Sequence, residues 1–126
     1  MANVKRVEDL IAWQKAMELA REVYRVACRL PDSERFGLQS QMRRAAVSIP
    51  SNIAEGFGRE STTELIRFLR VSRGSLFELR TQLRLSVDLT LIAADAVPTE
   101  LLDETDRVLQ GLIRSLEIRQ ATREPT

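Results

Sequence analysis

Arg70, Arg73, Arg80 and Arg84 recur at steps of three, seven and four, so on a helix turning about 100° per residue they share an arc of roughly 80°. Guanidinium groups gathered in this way suit bidentate contact with carboxylates or phosphates, and Ile66 and Phe77 lie on the same stripe. Glu64 and Glu78 fall on another side, which deprives these arginines of their simplest intrahelical partners. Three uses compete. The stripe is a solvated face whose alkyl stems cover the flank of a bundle. Or it is a subunit interface, with the arginines meeting the acidic C-terminal helix of a neighbour. Or it contacts the phosphate backbone of nucleic acid without reading sequence. Arg43 and Arg44 form a second basic cluster. Arg44 shares a polar side with Ser48 and Glu55, so an ion pair with Glu55 competes with a nucleic-acid role; Arg43 lies nearer the apolar flank.

Other chemistry finds little support. The chain lacks histidine, the commonest general base and metal ligand. One cysteine cannot build a zinc site, and Cys28, among Val26, Ala27 and Leu30, reads as a small buried hydrophobe. Asp103, Glu104 and Asp106 lack the glycine-bearing loop of a calcium site and read as a solvated face near a helix start. Ser48 has no base beside it, and Gly56-Phe57-Gly58-Arg59 reads as a helix end rather than a phosphate cradle. The expectation is a non-catalytic protein with no cofactor, no metal and no small-molecule substrate.

Net charge over 126 residues is only +1, from 19 Lys and Arg against 18 Asp and Glu, so the molecule as a whole does not steer toward polyanions. Its distribution is uneven. Residues 43–84 hold eight basic and four acidic side chains, whereas residues 85–126 hold four basic and eight acidic. No apolar run reaches the roughly 18 residues of a membrane span, and no signal-type run follows Met1 to Arg6. Those features lead to the expectation of a cytoplasmic protein with no membrane partner.

Positioning these residues takes helices. Leu10, Trp13, Met17, Ala20, Tyr24 and Ala27 alternate steps of three and four and predict a helix over about 9–30, with Asp9 as N-cap. Leu38, Met42, Ala45, Ile49 and Ile53 predict a second over about 34–57, kinked where Pro50 removes the hydrogen bond to Ala46, with Ser48, Ser51 and Asn52 near the freed carbonyls. A new helix starting at Pro50 is the alternative. Ser61-Thr62-Thr63-Glu64 reads as a capping box opening a third helix, about 61–91, whose apolar row is Leu65, Phe68, Leu69, Leu76, Leu79 and Leu83, with Val87 as a candidate extension. Within it Gly74 suggests close approach by a neighbouring helix, with a hinge as the alternative. A fourth, about 99–120, starts at Thr99 as N-cap and carries Leu102, Thr105, Leu109, Leu112 and Leu116, with fraying from Ala121. Short connections and the absence of strand alternation predict one all-α domain, an up-down-up-down antiparallel four-helix bundle.

The run from Arg43 to Gly56, with Trp13-Gln14-Lys15 before it and Gly74 to Leu79 after it, resembles the four-helix-bundle family of proteins encoded in intervening sequences of bacterial 23S ribosomal RNA genes. Arg43, Arg44, Ser48, Pro50, Ser51, Asn52 and Glu55 match the family's central motif, which assigns no catalytic role. The resemblance implies a homo-oligomer, a pentamer, with RNA or DNA as a partner and a reverse transcriptase as a protein partner, because one relative is the accessory protein of diversity-generating retroelements. Glu78-Leu79-Arg80-Thr81 and Leu89-Thr90-Leu91 depart from the family pattern, and Arg80 strengthens the basic stripe. A protein-interaction scaffold with no nucleic-acid role is the competing function.

Overall fold

A computed structural model describes residues 4–123, and within them the chain is all-α. Four long helices form a bundle: α1 (Ile11–Ala27), α2 (Leu38–Gly58), α3 (Thr62–Asp88) and α4 (Thr99–Arg123). Contacting residues of consecutive helices run in opposite order along the chain. Tyr24 meets Arg43 and Ala27 meets Gln39; Ile49 meets Ser72 and Ser48 meets Ser75; Arg70 meets Glu117 and Arg80 meets Asp103. The α4 helix closes the ring against α1, where Lys15 Nζ lies 2.8 Å from Glu104 Oε1.

The buried row of α1 agrees with the expected one only at its ends, where Leu10 and Ala27 are buried. Ala12, Ala16, Leu19, Val23 and Val26 face the core, while Trp13, Met17 and Ala20 are half-buried and Tyr24 is exposed. Both rows obey the same three-four spacing about 100° apart, and the row of smaller side chains is the one that lets neighbouring helices come close. Asp9 ends a 3-10 turn and Leu10 precedes the helix without a side-chain cap. At the other end Cys28 is exposed, contrary to its expected burial, because the chain tightens there as the Arg29 and Leu30 amides bond to Val26 and Ala27.

Residues Asp32–Glu34 make another 3-10 turn, so α2 begins at Leu38 rather than near residue 34. Glu34 still serves it: its Oε1 accepts from the Leu38 amide at 3.1 Å, capping the first turn from outside. The helix runs on through Pro50, with Ile49, Pro50 and Ile53 buried, so no second helix starts there. Polar groups cluster beside the proline. Asn52 Nδ2 donates to the Ser48 carbonyl (2.8 Å), Ser72 Oγ of α3 donates to the Ile49 carbonyl (2.8 Å), and the Ser48 and Ser75 hydroxyls lie 2.8 Å apart. Ser51 is exposed and takes no part.

Ser61 caps α3 by accepting from the Glu64 amide at 3.3 Å. The reciprocal half of the expected box is absent, because the Glu64 carboxylate is held by Arg67 at 2.9 and 3.1 Å. The expected core row of α3 is buried from Leu65 to Leu83, and Val87 is half-buried against it. The helix ends at Asp88, short of 91, in a Schellman-type turn: the Leu91 amide bonds to the Ser86 carbonyl at 2.9 Å and Thr90 takes a left-handed φ of 57°. Thr99 lies inside α4, its hydroxyl donating to Val97, and the Pro98 carbonyl accepts the first helical bond; at the far end the helix continues past the expected fraying point at Ala121 to Arg123.

Glycine placement also departs from expectation. A Cβ at Gly74 would meet nothing within 4 Å, so the expected close contact is absent there; a Cβ at Gly56 would lie 2.7 Å from Phe68 Cβ and 3.3 Å from Leu65 Cα. Gly56 is the position where α2 and α3 touch backbone to side chain.

Candidate nucleic-acid interface

The arginine stripe lies along the seam between α3 and α4, and it meets carboxylates of the same protomer, three from α4 and one from α3. Arg70 pairs with Glu117, Arg73 Nε lies 2.7 Å from Asp106 Oδ1, and Arg80 donates to Asp103 Oδ1 at 2.8 Å. Arg84 is held by Asp88 one turn on, at 3.0 Å. An encounter between these arginines and the acidic C-terminal helix therefore occurs within one protomer. The cause is geometric. Asp103, Asp106 and Glu117 share one face of α4, and α4 folds back alongside α3. Asp88 is an intrahelical partner for Arg84 that the comparison with Glu64 and Glu78 alone does not reveal.

These pairs are largely open to solvent. Arg70 is more than half exposed and Arg84 is 79% exposed, so water and salt screen their attraction. Arg73 and Arg80 are more enclosed, and both guanidinium groups lean on Phe77, 5.0 and 5.9 Å from its ring centroid. Phe77 keeps 46% of its surface exposed. Ile66, the other apolar member of the stripe, is buried in the core.

Arg43 and Arg44 do not join this seam. Arg43 turns toward α1, stacking 5.3 Å from the Tyr24 ring and donating to Cys28 Sγ at 3.5 Å. Arg44 is exposed on the α2–α3 side near Glu78 and Gln82, with no carboxylate within 4 Å among the described residues. Its expected partner, Glu55, instead pairs with Arg59 at 3.6 Å. Eleven residues of helix separate Arg44 from Glu55, roughly 16 Å of rise, too far for the two side chains to meet. Within the central motif, Ser48 and Asn52 thus bind α2 together and Ser48 binds it to α3, Pro50 is buried, Glu55 lies on the surface, and Ser51 faces solvent.

Two further arginines escape sequence reasoning. Arg107 and Arg114 of α4 are exposed, face the same cleft as Arg70 and Arg73, and have no carboxylate within 4 Å among the described residues. A signal for them exists: Arg107, Gln110, Gly111 and Arg114 step by three, one and three, one polar face. The acidic first half of the same helix obscures it.

Electrostatic perturbation is modest and local. The Arg67 hydrogen bond holds the Glu64 carboxyl below its ordinary value against a smaller opposing effect of burial, with Arg59 adding attraction. The hydrogen bond to Glu104 raises Lys15. Among the described residues no group of three or more acidic, cysteine or histidine side chains is arranged to hold a metal ion, and no helix is long and apolar enough to cross a membrane.

No curated protein matches the chain. The sequence profile of the 23S rRNA-intervening sequence protein matches residues 8–114, most of the four-helix bundle and all of the α3 stripe. With that span matched, the chain belongs to the family of 23S rRNA-intervening sequence proteins.

Proposed function

We propose that this protein is a non-catalytic, homo-oligomeric helical bundle of the cytoplasm that associates with RNA or DNA through phosphate contacts, without reading sequence. One observation carries the reading. Along the α3–α4 seam six arginines (70, 73, 80, 84, 107 and 114) face only four partner carboxylates, Asp88, Asp103, Asp106 and Glu117. The seam therefore keeps positive charge on a molecule of net charge +1. The exposed pairs Arg70–Glu117 and Arg84–Asp88 are worth about 0–1 kcal/mol each, so at those positions a phosphate can replace a carboxylate as partner at little cost. Membership of a family named for intervening sequences in ribosomal RNA supports RNA as the polymer. Assembly, into a pentamer on the family resemblance, multiplies weak contacts; a reverse transcriptase is the protein partner the same resemblance suggests.

Binding of a labelled single strand and of a duplex, measured at two salt concentrations beside the mass in solution, tests this. The expected result is an oligomer whose affinity falls steeply with salt. A monomer, or absence of binding at low salt, refutes it. Arg70→Gln and Arg84→Gln are the informative variants, since Arg73→Glu or Arg80→Glu would set like charges against Asp106 or Asp103 and loosen the seam.

A second reading, a protein-interaction scaffold, is favoured by a different observation. Trp13, Met17, Tyr24, Val47 and Pro50 line an apolar groove between α1 and α2, and nearby Phe36 is 89% exposed. Val47→Glu tests it: loss of oligomer mass in the variant, with no nucleic-acid binding by the wild type at low salt, assigns that groove to assembly and the function to a scaffold.

A further inference from the structure

Between α3 and α4 lies an open cleft of about 750 Å³, within the size range of ligand sites. Arg70, Arg73, Arg107 and Arg114 line it against one carboxylate, Glu117, and Phe77 forms part of its wall. Its other peculiarity is the pair Gly74 and Gly111, one on each helix. A glycine inside a helix costs about 1 kcal/mol relative to alanine. Close packing explains that cost at Gly56, but a Cβ at Gly74 or Gly111 would meet nothing within 4 Å. Both positions keep space empty where two helices face each other, and that space is walled by cations.

We infer that this cleft seats one unstacked nucleotide of a single-stranded nucleic acid, its phosphate on Arg107 and Arg114 and its base against the half-exposed side chain of Phe77. The inference rests on the nucleic-acid reading above and deepens it. Arg70 and Arg73 already have carboxylates, whereas Arg107 and Arg114 have none within 4 Å among the described residues, so theirs are the guanidinium groups available to an incoming anion. Phe77 is half-exposed beside two guanidinium groups, a surface on which any base can stack. A base paired within a duplex cannot present its face to that ring, so the cleft discriminates against double strands.

The test uses the full chain, a labelled oligouridylate twelve residues long, the corresponding duplex, and uridine monophosphate and inorganic phosphate as competitors at low salt. Single-strand binding is expected to be tighter than duplex binding and to resist both competitors at concentrations equal in phosphate. Phe77→Ala should weaken it roughly five- to a hundredfold. Arg107→Gln/Arg114→Gln should lower the slope of log affinity against log salt by about 0.7 for each phosphate that those arginines no longer neutralise. Gly111→Leu adds bulk without removing charge and should weaken binding while the chain keeps its helicity and melting temperature; Arg29→Gln, exposed and outside the cleft, should change little. Wild-type binding that all three cleft variants retain overturns the cleft while leaving the nucleic-acid reading intact, and no wild-type binding at low salt removes both. Equal affinity for duplex, or full displacement by the monophosphate, overturns the single-strand assignment. A fall in oligomer mass in the cleft variants with binding preserved shows instead that a second copy of the chain fills the space.

Discussion

Single residues carry the clearest energetic contrasts. Gly56→Ala would force its new methyl against Phe68 Cβ at 2.7 Å, within a helix contact that cannot yield cheaply, so thermal or denaturant unfolding should report a loss of about 1–3 kcal/mol. Gly74→Ala and Gly111→Ala meet open space and should each gain about 1 kcal/mol in the same measurement. Opposite signs for one substitution are the expected outcome. By sequence the mid-helix glycine of α3 reads as the close-approach site, whereas Gly56, which reads as a helix end, performs that role; the sequence carries no record of which neighbour lies opposite. Thr90 gives a third case. A β-branched residue at φ 57° strains the turn that closes α3, so Thr90→Gly should raise the unfolding free energy by about 1 kcal/mol.

Elements show how much periodicity can and cannot convey. The core row of α3 is legible because one row of its surface is apolar and its flanks are charged. On α1 two apolar rows satisfy the same spacing, and only the packing of α2 and α4 decides between them. Ends are less legible than faces: Ser61 announces α3 correctly, yet Glu64 finds a stronger partner in Arg67 than in the Ser61 amide. That choice has a pH signature. With its carboxyl held below the ordinary value, Glu64 stabilises the folded chain fully above the usual carboxylate range, and this contribution is lost as pH falls through the lowered value. Unfolding midpoints measured from pH 7 downward should therefore drop less steeply for Glu64→Gln than for the wild type. The α3–α4 seam makes a prediction of opposite sense to an ordinary loss of charge. Asp103→Asn with Glu117→Gln releases Arg80 and Arg70, so affinity for a single strand should rise and its salt dependence steepen.

For the molecule as a whole, the sequence discloses a basic middle and an acidic last third but not that these halves lie against each other in one protomer. A linear count of charge assigns no partners; the return of α4 alongside α3 does. The same return explains why the basic groups on α4 are hard to recognise in the sequence, since Arg107 and Arg114 gain meaning only beside Phe77 and Gly74 of another helix. The bundle is also held unequally around its ring. The α2–α3 contact is closed by hydroxyl bonds at Ser72 and Ser48 and by the tight fit at Gly56, whereas the outer edge of α3–α4 relies on ion pairs around an open cleft. Adding salt should act selectively, quickening amide hydrogen exchange in the second half of α4 while the amides around Pro50 keep their protection. On that expectation the last helix is the panel of the bundle whose outer edge salt loosens most, and a polyanion lodged beside it would act as the bolt.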